Sequence, residues 1–596
     1  MNILLTAINA KYIHSNLAVY SLRACAGEYR DAVELAEYTI NNQKDYILEE
    51  LYKRKPDVLC FSCYIWNIDY VTDIAREYKK LCPSVPIWVG GPEVSYEVEA
   101  FLRENPYIDG VMIGEGEDTF RELCGYYAHQ KRLIDIAGIA FRKKSADGKA
   151  GEIVFTSPRP IKNMSEIPFC YDTLDDFSNR IIYYESSRGC PFSCSYCLSS
   201  VDKTLRFRDT EIVKRELKFF IDQKVPQIKF VDRTFNCNHA HAMELWRFIK
   251  ANDNGVTNFH FEISADLLNQ EELELISDMR PGLIQLEIGV QSTNEVTIKE
   301  IHRTMKLERL KEVVRLIQSG NNIHEHLDLI AGLPYEDYDS FGRSFDEIYE
   351  LKPNQLQLGF LKVLKGSYMF EHAAEYGIVY HDKPPYEVMS TKWLSFDDVI
   401  KIKRVEDMLE VYYNSGQFEI TMKLMECIFD SAFEFFQELG DFYEANGYFG
   451  MSHSRIRRCE ILLEFLALYL HGCDNDAMTS VVLSENAGDR DNTDFDENEQ
   501  IYNMIQESLI FDLYYRENCK SRPRWATDIG KFKHMTHAYC KNGKLSHVEP
   551  FHYIFPDKHT RKLDELPKYH KEPVWALFHY DMRDPLDHQA LVEYIK

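Results

Sequence analysis

Twice along this chain, short apolar runs alternate with longer amphipathic stretches, and that rhythm leaves few folds open. In residues 1–135 the candidate strands are Asn2–Ala7, Val33–Tyr38, Asp57–Ser62, Pro86–Gly90 and Gly110–Ile113, separated by helix-like intervals such as Ile68–Cys82. Strand–helix alternation of this kind predicts a doubly wound, Rossmann-like, mostly parallel sheet. Residues 181–365 repeat the pattern at Ile181–Glu185, Gln227–Asp232, Phe259–Ser264, Leu283–Gly289, His324–Ile330 and Gln355–Val363. Six such units predict an open, partial (β/α)6 barrel of the TIM type. Both architectures bind their ligands beyond the carboxyl ends of the strands.

Between the two lies a connector, residues 136–180, with Arg- and Lys-containing strands, a polar turn from Lys144 to Gly151, and Pro158, Pro160 and Pro168. Past residue 385 the pattern changes to long helices, for instance Asp397–Tyr413 and Glu419–Glu438. An acidic, Asn/Asp-rich stretch from Ser484 to Gln500 reads as a loop or linker, and a mixed segment rich in His and aromatic residues follows. The expected division is therefore 1–135, 136–180, 181–385, and a mainly helical domain of unknown role over 386–596.

Composition narrows the setting. A net charge of −26 argues against a broad phosphate-binding surface, although one local basic groove for RNA stays open. The best apolar run, Ile461–Leu470, is too short for a membrane span and contains Glu464. Met1–Ala7 lacks the basic flank of a signal peptide and reads as a buried first strand. Fifteen scattered cysteines do not make a secreted disulfide scaffold, so a reducing, cytoplasmic setting is expected.

The most informative segment is Ser187-Arg-Gly-Cys-Pro-Phe-Ser-Cys-Ser-Tyr-Cys197, a C-x3-C-x2-C run directly after a predicted strand. Thiolates are the ligands of iron–sulfur clusters, and one loop with this spacing reaches three corners of a four-iron cube. The fourth iron stays open, as a catalytic metal centre requires. Structural zinc would want a fourth ligand at similar spacing, and none lies nearby in the sequence. Three strand ends in the first region carry small or polar residues: Ser62-Cys63-Tyr64, Gly90-Gly91-Pro92 and Gly114-Glu115-Gly116-Glu117.

At the cysteine loop the chain resembles the radical S-adenosylmethionine (radical SAM) superfamily, over residues 180–365. The resemblance implies a [4Fe-4S] cluster on Cys190, Cys194 and Cys197. Its open iron would chelate S-adenosylmethionine, whose reductive cleavage yields a 5′-deoxyadenosyl radical. It further places Tyr196 beside the adenine and packs Ile330, in Ile330-Ala-Gly-Leu-Pro334, against it. Phe230-Val-Asp-Arg-Thr-Phe-Asn236 resembles a second-strand segment that often reads Asp-Asp; here Arg233 departs from it, and Asp232 is expected to bind the cofactor's ammonium. Ser264 is expected to reach the ribose or carboxylate, and Glu287 to accept from the ribose hydroxyls.

Taken with the barrel, residues 1–135 resemble the cobalamin-binding class of these enzymes. The corrin would then lie over the sheet's carboxyl edge, near Ser62, Gly90, Gly91, Gly114, Glu115 and Gly116. No G-x-G-x-x-G follows the first strand, which counts against a dinucleotide. Many cobalamin proteins carry Asp-x-His-x-x-Gly after that strand. The loop Tyr12-Ile-His-Ser-Asn-Leu17 keeps His14 but neither the Asp nor the Gly, so His14 is expected to be a loop histidine rather than a cobalt ligand. Farther on, His534, His537, Cys540, His547, His552 and His559 are too loosely spaced for zinc, and Met422, Met425, Phe433, Phe435 and Phe436 are expected in the core.

The resulting expectation is a cobalamin-dependent radical SAM methyltransferase acting at an unactivated carbon of an unknown substrate. Its electrons would come from a flavodoxin or ferredoxin-type donor. The rivals are a radical rearrangement, cyclisation or methylthiolation, an RNA-modifying enzyme, and a non-catalytic cluster or cobalamin sensor.

Overall fold

The computed structural model describes residues 1–143, 151–471, 497–540, 545–556, 560, 562–563 and 565–595. Five parallel strands form the first sheet: β1 (Ile3–Asn9), β2 (Val33–Thr39), β3 (Val58–Ser62), β4 (Ile87–Gly90) and β5 (Gly110–Met112). Every residue of β1 and β3 is buried, which is why both read as unbroken apolar runs: helices cover both faces. Two antiparallel strands, β6 (Ile139–Arg142) and β7 (Ile153–Phe155), extend the sheet to the order β2-β1-β3-β4-β5-β6-β7. The opening of the connector is thus part of this sheet. Most of the turn expected from Lys144 to Gly151 falls outside the described residues.

The second sheet contains β8 (Ile182–Tyr184), β9 (Gln227–Phe230), β10 (Asn258–Ile263), β11 (Ile284–Gln291), β12 (His324–Ala331) and β13 (Gln355–Phe360), all parallel and in sequence order. β8 and β13 do not pair, so the barrel is open, as expected. Along β11 buried and half-buried residues alternate strictly, the apolar set lying under the helices. The other set makes an ionic interior: Lys229 Nζ lies 2.8 Å from Glu287, His260 Nε2 3.0 Å from the same carboxylate, and His326 Nε2 3.1 Å from Asp328. Closed TIM barrels fill this space with branched apolar side chains. Here it is polar.

Helices dominate the chain after residue 385. Phe396–Leu409 runs into a π-turn, Glu410–Asn414, whose Asn414 accepts from Leu356 N at 3.0 Å and donates to Leu356 O at 2.8 Å. That clasp covers the free edge of β13. The single helix expected over Glu419–Glu438 is two, Glu419–Met425 and Ala432–Ala445. Ser431 separates them: its hydroxyl caps the second helix by accepting from Glu434 N at 3.0 Å and donates to Asp346 Oδ2 at 2.7 Å on the barrel helix Tyr338–Tyr349.

The acidic linker also needs correction. Ser484–Asp496 lies outside the described residues, but Glu497–Gln500 begin a helix, Glu497–Arg516, whose first-turn carboxylates favour its amino end. That helix packs through Phe511 on a three-stranded antiparallel sheet, β14 (Ser546–Tyr553), β15 (Tyr569–Arg583) and β16 (Ala590–Ile595). Met422, Met425, Phe433, Phe435 and Phe436 are all buried, as expected.

Candidate functional site

The carboxyl ends of the two parallel sheets face a shared cavity of about 810 Å³. From the first sheet it is lined by Ser62, Tyr64, Trp66, Gly90, Gly91 and Gly114, and from the barrel by Tyr183, Lys229, Arg233 and Glu262. Tyr64 and Trp66 stack with centroids 4.4 Å apart.

The cysteine loop is fixed by its backbone. Gly189 adopts φ +91°, and a Cβ there would come within 2.6 Å of Thr204 O, so only glycine turns the chain into the loop. Cys190 N donates to Asp202 O, Ser195 N to Ile301 O at 2.9 Å, and the Ser200 hydroxyl sits 2.8 and 2.6 Å from the carbonyls of Cys194 and Cys197. All three cysteines are free thiols; Cys190 and Cys194 are buried, Cys197 half-buried. Burial pushes the Cys190 thiol up. Among the described residues no three Cys, His, Asp or Glu side chains converge on one point that a single ion would occupy. A cubane, by contrast, takes one thiolate at each of several separate irons, and this donor set fits it.

Asp232 does not face the cofactor space. It is fully buried, its Oδ2 accepting from Ser186 N at 2.9 Å and its Oδ1 from the Ser186 and Ser187 hydroxyls at 2.6 Å each. Both oxygens are occupied by the residues that lead into the cysteine loop, which corrects the expected ammonium contact. Burial raises its carboxyl to about 6 in spite of these donors.

Glu115 is tied to the cysteine-loop side. Its carboxylate lies 2.6 Å from Arg206 and 3.4 Å from Arg188, and accepts from Lys162 N at 3.1 Å. Arg188 also reaches Glu117 at 2.8 Å and Glu185 at 2.7 Å. The turn after β5 is thus bolted to the ladder Ser187–Arg188/Arg206–Phe207 beside the cysteine loop. Glu115 lines the inter-sheet cavity and also joins the two sheets.

The remaining expected residues divide. A Cβ on Gly114, at φ +74°, would meet nothing within 4 Å, so this residue opens onto the cavity. Gly91, at φ +125°, is required locally, because a Cβ would lie 2.3 Å from Cys63 O. On Gly90 and Gly116 a Cβ would press against the Met112 and Leu22 side chains. Ser62 Oγ accepts from Asn16 Nδ2 at 3.3 Å. Ser264 Oγ donates to Asp266 at 2.8 Å, and Ile330 is half-buried at the end of β12. Glu287 looks into the barrel. Burial pushes its carboxyl up, but His260 and the Lys229 ammonium outweigh that and hold it far below the usual range. Glu262, with Arg233 3.6 Å away, is pushed by burial to about 7.

Three residues escaped the sequence reading. Arg303 points its Nη1 at Tyr196 OH, 3.3 Å, and at Cys194 Sγ, 3.9 Å, while Nη2 donates to Gly289 O. Gln291 sits at φ +76° beside a bulge in β11, with its Oε1 buried and unpaired among the described residues. Tyr183 donates to or accepts from His14 Nδ1 at 2.7 Å. Positive φ at a glutamine has no sequence signature; Arg303 is a lone arginine after a helix. Only His14 stood in a loop already under suspicion.

His14 lines the cavity while its backbone is held in place. Its carbonyl accepts from Arg180 Nη2 at 2.9 Å and Asn9 Nδ2 at 3.1 Å, and it forms a parallel bridge with Ile181. In the C-terminal segment, His547 and His552 bind Glu549 and Glu507 at 2.7 and 2.8 Å, His534 and His537 are exposed, and His559 falls outside the described residues.

Comparison with known families agrees with this geometry. Residues 3–124 match the B12 binding domain model and residues 184–348 the radical SAM superfamily model. The chain carries a B12-binding domain followed by a radical SAM domain. Residues 374–589 match a third family, a protein of unknown function (DUF4080). Among curated relatives, the 2-(S-pantetheinyl)-carbapenam-3-carboxylate methyltransferase of Streptantibioticus cattleyicolor is 28% identical over 319 residues, 50% of this chain and 45% of that protein. The cobalamin-dependent radical SAM methyltransferase TokK of Streptomyces tokunonensis is 27% identical over 55% of this chain and 49% of its own. The chain spans about half the length of these relatives. Among solved structures, the cobalamin-dependent S-adenosylmethionine radical enzyme OxsB, with aqua-cobalamin and S-adenosylmethionine bound, matches with a TM-score of 0.54 at 16% identity, over 86% of this chain and 80% of that one; the likeness is one of fold. Among the described residues no helix is long and apolar enough to cross a membrane.

Proposed function

We propose that this chain is a cobalamin-dependent radical SAM methyltransferase acting on an unactivated carbon. The supporting observation is one cavity that receives the carboxyl ends of both sheets, with Arg188 and Asp202, which flank the cysteine loop, in its wall. When bound, the cluster and S-adenosylmethionine supply a hydrogen-abstracting radical, and the corrin supplies a methyl group. The chain's own residues supply position. Cys190, Cys194 and Cys197 hold the cluster, Arg303 and Tyr196 stand beside it, and Gly114 leaves room for a flat macrocycle on a wall that Ser62 and Gly91 also line. The Glu115–Arg206 and Glu117–Arg188 pairs fix one sheet against the other. Rates of such reactions depend on alignment, which can contribute on the order of 7–11 kcal/mol. The two-sheet enclosure excludes water from reactive species.

A flavodoxin or ferredoxin-type protein is the proposed electron donor, and a reducing compartment the proposed setting. The test is anaerobic reconstitution followed by dithionite and S-adenosylmethionine. Formation of 5′-deoxyadenosine, lost in Cys194→Ala, supports the radical assignment; none from the wild type defeats it. Protein purified with hydroxocobalamin should retain a corrin spectrum. With the true substrate, S-adenosylhomocysteine should accumulate in step with methylated product; a product formed without it would indicate rearrangement or cyclisation.

A further inference from the structure

The barrel lumen holds carboxylates on three successive strands: Glu262 on β10, Glu287 beside it on β11, and Asp328 on β12, opposite Gly289. Asp328 lies within electrostatic reach of both others. Glu287 has an ammonium partner, Lys229 at 2.8 Å, and Glu262 has Arg233 at 3.6 Å. Asp328 has neither. Two histidines approach this row without bonding to it. His260 Nε2 stands 3.0 Å from Glu287 and His326 Nε2 3.1 Å from Asp328, yet neither contact is aligned as a hydrogen bond. Both nitrogens, and Asp328 Oδ1 with them, are buried without a hydrogen-bonded partner among the described residues. His260 and His326 are only 7% and 8% exposed, where polar atoms ordinarily find one. Asp328, by contrast, keeps 22% of its side chain open, so space remains beside it. Lys229 and Glu262 line the inter-sheet cavity, and the ionic row therefore begins at the cavity wall.

We propose that Asp328 is a substrate-binding residue that takes a protonated amine, which makes the substrate class an amine. The inference rests on the assignment above and deepens it. An ammonium donates to the carboxylate in a charge-assisted bond, and Glu262 adds its field from the facing strand. Burial favours the neutral forms of His260 and His324, so they bring no competing charge. His326 is the competitor, because Asp328 favours its protonated form against the effect of burial. An apolar group in this space would leave the buried nitrogens bare, and an anion would meet three carboxylates.

The experiment uses the reconstituted full chain as wild type, Asp328→Asn and His326→Gln, loaded with cluster, corrin and S-adenosylmethionine so that the cofactors' own sites are filled. Iron content and thermal melts confirm folding. Butylammonium is titrated in by anaerobic calorimetry at low salt, with 1-butanol and butyrate as neutral and anionic probes of similar size. S-Adenosylmethionine affinity is measured by equilibrium dialysis. A charge-assisted contact of this kind corresponds to about a ten- to hundredfold change in affinity. Wild type should bind butylammonium and neither control. Asp328→Asn should weaken that binding by the stated factor, and His326→Gln should not, because it removes only the competitor. Equal binding of the three probes, a wild type that binds no butylammonium, or equal losses in the two variants overturns the proposal. So does a tenfold loss of S-adenosylmethionine affinity in Asp328→Asn, since the carboxylate would then serve the cofactor. Should Asp328→Asn fail to fold, the ranking of the three probes on wild type decides. A wild type that takes up no S-adenosylmethionine would defeat the radical assignment instead; butylammonium titrated into that protein still decides the role of Asp328, so the two failures are distinguishable.

Discussion

Replacing Asp232 tests whether it serves the cofactor or the loop. In Asp232→Asn the amide oxygen still accepts from Ser186 N, and the Ser186 and Ser187 hydroxyls turn to accept from the new NH2 group. The charge is gone. Burial raises the wild-type carboxyl from 3.8 to about 6, which corresponds to about 3 kcal/mol against its ionised form. A group raised in the fold contributes stability that is complete below its unfolded value of 3.8 and is lost as pH rises through about 6. Wild type should therefore gain on Asp232→Asn as pH falls, by about 1 kcal/mol between pH 7 and pH 5. In Asp232→Ala the backbone N–H of Ser186 is left unpaired in a buried setting, costing about 1–3 kcal/mol, and the entry to the cysteine loop loosens. Differential melts of the apo protein at pH 5, 6, 7 and 8 read the first effect, as a shift of a few degrees. Iron per chain after reconstitution reads the second: Asn close to wild type, Ala well below. The reasoning fails if Asp232→Asn keeps its full cluster but binds S-adenosylmethionine tenfold more weakly, because the carboxylate would then be facing the ligand.

Three further outcomes follow from other parts of the site. Cys194→Ala should leave the fold melting near wild type but hold far less iron after reconstitution, as measured by ferrozine assay. Gly114→Val forces a branched side chain into left-handed backbone, a cost of about 1 kcal/mol or more, and fills open space on the cavity wall; corrin retention should fall with no change in iron. Glu115→Gln should lower the melting temperature by weakening the pairs to Arg188 and Arg206 while the corrin spectrum persists; loss of corrin at an unchanged melt would return Glu115 to the cofactor.

The strands and the loop of three cysteines were legible because apolar runs and cysteine spacing are local properties. β1, β3 and β11 appear within two or three residues of where their patterns place them. What could not be read depends on partners distant in sequence. Asp232 at a strand end looks the same whether its oxygens face a ligand or Ser186, 46 residues earlier. Glu115 gave no hint of Arg206. The break at Ser431 depends on Asp346, on a helix of the barrel. Strands in the connector were legible, but their antiparallel pairing onto the first sheet was not, because nothing local to β6 and β7 names β5 as the partner.

The bridge between His14 and Ile181 constrains anyone who would recombine this protein. Ile181 N donates to Ile13 O at 2.8 Å, and Arg180 binds the carbonyls of Tyr12 and His14 together with Glu37. One half of the molecule therefore reads the other partly through main-chain atoms at this seam, alongside the side-chain pairs of Glu115 and Glu117 with Arg206 and Arg188. A chimera that grafts a foreign amino-terminal half onto this barrel has to bring a loop that Arg180 can hold, or the halves will fold well separately and meet at the wrong angle.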